Sequence, residues 1–286
     1  MDIEGLPVYC KSAQIEEVLF AKESVTYFPK LVTENSANEK LFSASPLHGR
    51  SIIVDFNPGS KRYIVTKGNG LTYFPFGFIA TEELEGYAWG YLRKADAIRD
   101  YKSGSFISSL GILTNDMEAV YTLQSENASF SNCIKQLKPT ILQYSVLCPY
   151  RIADIPFLSK ALITSFVKKW ASTFNDNNID LHCIAANVLL RNIKIMHENN
   201  VLHNAIHCQN YSLSLELLDF ELSRTPITPY DNEIDEKSYE KLQKREIIQT
   251  LEIINQIAFY FNEKINSKKL RQIMIVNGFE NYINPS

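Results

Sequence analysis

The segment Val201-Leu-His-Asn-Ala-Ile-His-Cys-Gln-Asn210, which runs directly into Tyr211-Ser-Leu-Ser-Leu-Glu-Leu-Leu-Asp-Phe-Glu221, decides the fold prediction. Its first part reads as a loop that opens with His203 and closes with Asn210, and its second part as a β-ribbon that ends at Asp219. The spacing lets a tight turn bring the Asn210 amide and the Asp219 carboxylate together. Because Mg²⁺ completes its octahedron with phosphate oxygens and waters, these two ligands suffice, and the segment predicts a divalent-metal site.

The same arrangement of a His-to-Asn loop and a later Asp holds the metal beside the phosphates of ATP in protein kinases. It therefore predicts a kinase-like ATP site with ATP and Mg²⁺ or Mn²⁺ as cofactors. Protein kinases keep a base Asp at the position that Ala205 occupies here. The prediction is thus a nucleotide binder whose chemistry stays open.

Length and composition restrict the class of protein. A chain of 286 residues with 45% hydrophobic content can bury one large core or two smaller lobes, and its formal charge of −3 argues against nucleic acid as a partner. Five scattered cysteines without a CxxC pair favour reduced thiols over disulfides or zinc. The N-terminus lacks a signal-peptide pattern, and no apolar run approaches about 20 residues. We expect a soluble, cytoplasmic protein without a membrane partner.

Hydrophobic patterns divide the chain into two halves. The first half predicts four strands and one main helix that begins near Thr81 and ends at Leu110, before Gly111. The predicted strands are 51–56, 62–67, 118–123 and 141–147. The fold prediction is α+β and bilobal, protein-kinase-like, with a β-rich N-lobe over residues 1–148 and an α-rich C-lobe over residues 149–286.

The second half predicts helices over 157–174 and 180–197, followed by one or two helices between 233 and 263. The helix over 180–197 shows the clearest apolar stripe, because its apolar residues recur at three-, four- and seven-residue spacings. The residues of this predicted stripe are Leu181, Ile184, Val188 and Ile195.

Lys67 ends a predicted strand and precedes Gly68-Asn-Gly70. A lysine at this position can reach nucleotide phosphates, and glycines let the backbone approach a ligand closely. Asp100, on the predicted helix, can pair with Lys67 and fix its amine. The alternatives are a solvated lysine before a turn and an exposed helix acid.

Asp219 ends a predicted buried strand, where an unpaired carboxylate is costly, and a cation is the natural counter-charge. The alternative is a turn Asn at 210 and a capping Asp at 219, with Glu221 either on the metal or in solvent. His203 and His207 lie in a loop and do not form a helical zinc pair. We expect His203 to bond the loop backbone, and His207 is left as a phosphate contact or general base. P-loop, GxSxG and GxGxxG motifs are missing.

Two stretches resemble the selenoprotein O family, kinase-like proteins that transfer AMP from ATP to protein hydroxyls. One stretch joins Lys67-Gly-Asn-Gly-Leu-Thr72 to Ala97-Ile-Arg-Asp-Tyr101 and Leu110-Gly-Ile-Leu-Thr114; the family has Lys-Gly-x-Gly-x-Thr, Ile-Arg-Glu and Leu-Gly-Ile-Pro-Thr. The other is the loop from His203 to Asn210 with Asp219, at the family's spacing for His-Gly-x-x-x-x-Asp-Asn and Asp-Tyr-Gly. The resemblance covers roughly residues 60 to 225, and typical members are longer.

The resemblance implies that Lys67 contacts the phosphates, with Asp100 as its helix partner. It implies that Asn210 and Asp219 bind the metal. It also implies a phosphate contact for Arg151, which matches the second of two family arginines. The first of these arginines is missing near Val146.

The chain departs from the family pattern at several positions. Gln209 replaces the family's base Asp, and an amide cannot take up a proton usefully at neutral pH. Asp100 replaces a Glu, and the third motif reads Asp-Phe-Glu, which is closer to antibiotic-kinase-like proteins.

Three hypotheses follow. The first is an ATP-dependent transferase that moves AMP or a phosphoryl group to a hydroxyl on a protein or small molecule. The second is a catalytically silent, nucleotide-binding pseudokinase that acts as a scaffold for a protein partner, and the third is a relic of the fold that binds no nucleotide.

Overall fold

The computed structural model describes residues 6–32, 38–45, 49–70, 90–124, 139–172, 180–229 and 234–282. Its described strands form one eight-stranded sheet in the order β2-β7-β8-β6-β5-β4-β1-β3, with all pairings antiparallel. The strands are β1 Pro7–Ser12, β2 Ile15–Ala21, β3 Lys30–Val32, β4 Glu39–Ser43, β5 Ser51–Asn57, β6 Arg62–Lys67, β7 Asp116–Leu123 and β8 Thr140–Val146.

The four strands predicted from the sequence are β5 to β8, and all four are confirmed. The β5–β6 turn forms where the sequence places it, because Asn57 Oδ1 accepts hydrogen bonds from the backbone N–H groups of Gly59 and Ser60. β8 is buried along its whole length between β7 and β6, including its polar residues Thr140, Gln143 and Ser145. No sequence pattern predicts β1 to β4.

Five α-helices follow in the described residues: α1 Lys94–Ser109, α2 Lys160–Ser172, α3 Leu181–Glu198, α4 Glu236–Tyr260 and α5 Ser267–Val276. α1 lies between β6 and β7 in the chain and packs against β7 and β8. The predicted end of α1 is confirmed, because Gly111 takes up a φ of +78° after Leu110. The predicted start is wrong in its described part: residues 90–93 are not helical, and Leu92 instead bridges to Thr140. Thr81 lies outside the described residues.

The helix predicted over 180–197 is confirmed as α3, but its buried face differs from the predicted stripe. Leu181, Val188 and Ile195 are only partly buried, whereas the stripe's fourth member, Ile184, is buried. The buried face is wider because both α4 and α5 pack against α3. Its buried residues are His182, Cys183, Ile184, Ala185, Ala186, Leu189, Leu190, Asn192, Ile193 and Met196. The prediction between 233 and 263 corresponds to α4 alone, and α5 is additional.

One hydrophobic core runs through both halves of the described chain. It includes Val65 and Leu142 of the sheet, Ile107 of α1, and Leu189 and Ile254 of the later helices. The antiparallel sheet, followed by a helical second half, bears out the mixed character that the sequence predicts. The division into two lobes at residue 148 stays a prediction. None of the described helices combines the length and apolar composition that crossing a bilayer requires.

Candidate functional site

Lys67 lies at the end of β6, between β5 and β8, and its side chain is only 3% exposed. Its Nζ lies 2.8 Å from Asp100 Oδ2 and 2.7 Å from Asp219 Oδ1. A third carboxylate, that of Glu221, is 3.6 Å away. The structure therefore brings together three residues that the sequence places on a strand, a helix and a ribbon.

Asp100 connects α1 to the residue that follows Asp219. Its Oδ1 accepts a hydrogen bond of 2.9 Å from the Phe220 backbone N–H, while its Oδ2 faces Lys67. Burial raises the pKa of Asp100, although the Lys67 charge opposes the rise. Burial acts in the same sense on Asp219, but Lys67 and other cations outweigh it and hold the pKa of Asp219 well below its ordinary value. The pKa values of the two carboxyl groups are therefore shifted in opposite directions.

Asn210 and Asp219 lie at the open end of a short antiparallel ribbon, as the sequence predicts. Tyr211 bridges to Leu217, and the Leu218 N–H donates to the Asn210 carbonyl over 2.9 Å. The turn of the ribbon passes through Leu215, whose φ of +62° is a conformation that usually favours glycine. The nine-residue spacing thus produces the tight return on which the metal prediction depends.

Asn210 and Arg151 contact each other. An Arg151 nitrogen, Nη1, lies 3.3 Å from Asn210 Oδ1 and also donates to the Gln209 carbonyl. The Asn210 amide nitrogen donates to the Ala205 carbonyl over 2.9 Å. Arg151 is 4% exposed, so it is placed to support the loop and to add positive charge near Asp219. Its predicted phosphate contact stays a prediction.

The two loop histidines differ in their surroundings. His203 is fully buried; its Nε2 lies 3.0 Å from the Leu218 carbonyl, and its ring packs edge-on against Phe220. The backbone contact expected for His203 forms, but its partner is the ribbon and not the loop. His207 Nε2 lies 3.4 Å from the Asn210 amide nitrogen. Burial and the Arg151 charge lower the pKa of His207, which favours the neutral form of the ring.

Gly68 and Gly70 have internal reasons to be glycine. Their φ values are +101° and +99°. A Cβ on Gly68 would lie 2.4 Å from the Thr140 carbonyl oxygen, and one on Gly70 would lie 3.1 Å from the Tyr91 hydroxyl. These glycines let their backbone lie close to neighbouring parts of the same chain. A contact between either glycine and a nucleotide stays a prediction.

Arg50 is a site residue that the sequence patterns miss. Its Nη2 lies 2.8 Å from Glu221 Oε1 and 3.6 Å from Asp219 Oδ2, while its carbonyl accepts from the Gly68 N–H. Arg50 precedes Glu221 by 171 residues, and no local motif marks Arg50. Glu221 is therefore not free in solvent, one of its two predicted alternatives, but faces two cations.

Oxygen atoms of Asp100, Asp219 and Glu221 lie within 4.8 Å of one another. Lys67 and Arg50 form ion pairs with these carboxylates, and Arg151 adds positive charge near Asp219. The hard oxygen donors of these carboxylates fit a divalent cation of the Mg²⁺ or Mn²⁺ type.

A buried carboxylate on α4 fixes the loop that carries the histidines. Glu246 is fully buried, and its carboxylate accepts from the Asn204 N–H over 2.6 Å. Its other oxygen lies 2.9 Å from His197 Nε2. Glu246 of α4 therefore holds the loop, although it lies more than forty residues later in the chain. No sequence pattern indicates this contact.

Comparisons with known proteins leave the family open. No protein-family model matches the chain, and no curated protein matches it. One similar solved structure is described as WaaP in complex with acyl carrier protein, at 12% sequence identity and a TM-score of 0.33, with 83% of each chain covered. The resemblance to the selenoprotein O family accordingly stays a prediction.

Proposed function

We propose that the chain is a kinase-like, ATP-dependent transferase that moves a phosphoryl group or AMP from ATP to a hydroxyl of a protein or small molecule. One observation carries the proposal: Lys67 Nζ lies 2.8 Å from Asp100 of α1 and 2.7 Å from Asp219 of the ribbon. A strand lysine held by a helix acid, opposite a metal-binding Asp, is the core of the kinase phosphate site. These residues are otherwise far apart in the sequence.

In this proposal Lys67 and Arg50 neutralise phosphate oxygens, and Asp100 holds the Lys67 ammonium in place. Asp219 and Asn210 would hold Mg²⁺ or Mn²⁺, with Glu221 close enough to add an oxygen. A bound divalent ion supplies charge neutralisation of the phosphates. Because Lys67 and Asp219 contact each other in this structure, nucleotide binding would replace part of that ion pair by contacts to phosphate and metal.

The transfer step forms a bond from the acceptor hydroxyl oxygen to phosphorus and breaks the bond to ADP or to pyrophosphate. The hydroxyl proton needs an acceptor, and positions 205 and 209 offer no carboxylate. We assign this role to His207, whose ring lies beside Asn210; its lowered pKa favours the neutral form and makes it a weak base. Positioning and charge supply most of the acceleration in such reactions, so a weak base lowers the rate without abolishing it.

The direct test is incubation with α-labelled and, separately, γ-labelled ATP in Mg²⁺ or Mn²⁺. Label transferred only from α-labelled ATP identifies AMP transfer, and label only from γ-labelled ATP identifies phosphoryl transfer. Lys67→Met and Asp219→Asn are expected to lower transfer at least about a hundredfold. Lys22→Met, which removes an exposed ion pair to Asp116, is the matched control and should leave the rate unchanged. No transfer from either nucleotide to any acceptor, the protein itself included, would contradict the proposal.

A second candidate, the catalytically silent nucleotide-binding scaffold, is favoured by a specific observation. Ala205 and Gln209, the two positions where related sites keep a base Asp, both lack a carboxylate. The scaffold predicts binding of ATP and metal without turnover. The third hypothesis, a relic of the fold, predicts neither nucleotide binding nor turnover. Equilibrium binding of a non-hydrolysable ATP analogue distinguishes the scaffold from the relic.

A further inference from the structure

Glu216 is a buried carboxylate in the ribbon that the proposed reaction does not use. Its side chain is 0% exposed, and Arg62 Nη2 donates to it over 2.8 Å. The Leu147 N–H lies 2.9 Å and 3.0 Å from its two oxygens, and the Cys148 N–H lies 3.4 Å from Oε2. The Ser212 hydroxyl completes the set at 3.1 Å. Its hydrogen-bonding capacity is thus directed at three separate parts of the chain.

Glu216 and Asp219 each connect the ribbon to β6 through an ion pair. Arg62 begins β6 and Lys67 ends it. Glu216 lies three residues before Asp219, so one ion pair joins the start of β6 to the ribbon near its turn and another joins the end of β6 to the open end of the ribbon. The two ion pairs hold the ribbon alongside a strand in the middle of the sheet.

Glu216 also connects the ribbon to the segment that joins the sheet to the helical half. Leu147 and Cys148 follow directly after β8, and Arg62 additionally donates to the carbonyls of Ser145 and Thr114. A leucine at position 216 would fill this space without burying a charge, so burial alone does not explain a carboxylate here. The carboxylate is explained by the four donor groups that converge on it, from Arg62, Leu147, Cys148 and Ser212.

We propose that Glu216 is a positioning residue that sets where the ribbon holds Asn210 and Asp219 relative to Lys67. The inference rests on the proposed function. Replacing the carboxylate by an uncharged group would remove its ion pair with Arg62 and weaken its hydrogen bonds with the Leu147 and Cys148 N–H groups. The ribbon would then lose one of its two ion-paired attachments to β6. The expected consequence is a metal site with its ligands present but less well placed.

The experiment compares wild type with Glu216→Gln. The first readout is the Mn²⁺ concentration needed for half-maximal binding of a non-hydrolysable ATP analogue, which a merely structural role would not move. We expect this concentration to rise about tenfold, as for other residues that orient metal ligands. The second readout is amide hydrogen exchange over residues 210–220, where the Leu218 and Phe220 amides should exchange faster.

Glu263→Gln is the matched control. Its carboxylate caps the start of α3, accepting from the Leu181 and His182 N–H groups away from the ribbon. We expect it to lower stability without changing the Mn²⁺ requirement. If Glu216→Gln does not fold, Arg62→Lys keeps the positive charge, loses the guanidinium fork and should show the same change to a smaller degree.

The outcomes separate the two proposals. Unchanged Mn²⁺ requirement and unchanged exchange in Glu216→Gln overturn the positioning role, and so does an equal rise in the Mn²⁺ requirement in Glu263→Gln. If wild type binds no nucleotide at any Mn²⁺ concentration, the proposed function fails. Amide exchange alone then decides the inference: faster exchange confined to 210–220 supports it, and unchanged exchange overturns it.

Discussion

At the scale of single residues, the side chain that most needs explanation is Lys67, an ammonium group buried in the sheet. Burial disfavours its charge, but Asp100 and Asp219 outweigh that effect and raise the pKa of Lys67 above its ordinary value. The lysine therefore stays charged at all physiological pH values. Each carboxylate in turn depends on the lysine as its closest cation.

Replacing Lys67 by Met is expected to leave two buried carboxylates without that cation. We expect the free energy of unfolding at pH 7 to fall by about 3 kcal/mol. The loss should be smaller at pH 5, because Asp100, whose pKa is already raised, takes up a proton more readily. Urea denaturation at both pH values measures it. Lys22→Met, at an exposed pair, should change stability by less than about 1 kcal/mol, and an equal loss in both variants would contradict the prediction.

Glu216 predicts a pH dependence of stability. Burial, opposed by Arg62, raises the pKa of Glu216 from 4.5 to about 7. Between these values the folded state keeps a proton that the unfolded chain has released, so this group's contribution to stability falls as the pH rises through the window.

Glu216→Gln removes this titration. As the pH rises from 5 to 8, the difference in unfolding free energy between the variant and wild type should therefore shift by up to about 3 kcal/mol in favour of the variant. Chemical denaturation across this range measures the difference, and subtracting wild type cancels the other titrating groups. A difference that stays constant with pH would show that Glu216 keeps an ordinary pKa.

Sequence patterns find some of these residues and miss others for a physical reason. Lys67, Asp100 and Asp219 stand out because each sits in a local motif or at the end of a local pattern. Arg50 and Glu216 lie in no such motif, and their charged partners are more than 150 residues away, so nothing in the local sequence marks them. Only the fold makes them neighbours.

At the scale of elements, local patterns locate β5 to β8 and the ribbon, miss β1 to β4, and place the start of α1 poorly. β5 and β6 are joined by a turn whose residues carry their own hydrogen bonds, so the hairpin can be read directly. The start of α1 carries no such signal, because Arg93 at its N-cap position makes no side-chain capping bond. α1 begins there because Leu92 pairs with Thr140, a contact the sequence does not reveal.

The end of β6 gives a prediction about glycine. Gly68 and Gly111 both have positive φ, but only at Gly68 would a Cβ meet another atom, the Thr140 carbonyl oxygen at 2.4 Å. Gly111→Ala should cost about 1 kcal/mol, the backbone penalty alone. Gly68→Ala should cost at least about 2 kcal/mol more, because β6 must separate from β8. Thermal unfolding of the two variants measures the difference. Equal losses would show that the backbone at the β6–β8 contact can shift without a free-energy cost.

At the scale of the whole molecule, the site joins regions that the sequence keeps apart. β6 supplies Lys67, α1 supplies Asp100, and the ribbon supplies Asp219, all around one continuous core. Three carboxylates face Lys67 and Arg50, with Arg151 near Asp219, so a bound divalent ion would give the site an excess of positive charge. Nucleotide phosphates would then restore the balance, which makes metal and nucleotide binding mutually dependent.

This dependence predicts a cooperative gain in thermal stability. A non-hydrolysable ATP analogue with Mn²⁺, at about a hundred times its dissociation constant, should add about 2.7 kcal/mol and raise the melting temperature by roughly 5 to 10 °C. Either ligand alone should give a smaller rise than the pair, since each leaves charge unbalanced. Asp219→Asn should remove the Mn²⁺-dependent part, whereas Asp116→Asn, an exposed acid, should keep it. Equal shifts with and without Mn²⁺ would mean that the carboxylates take no part in binding, and the site would then have to be sought elsewhere in the molecule.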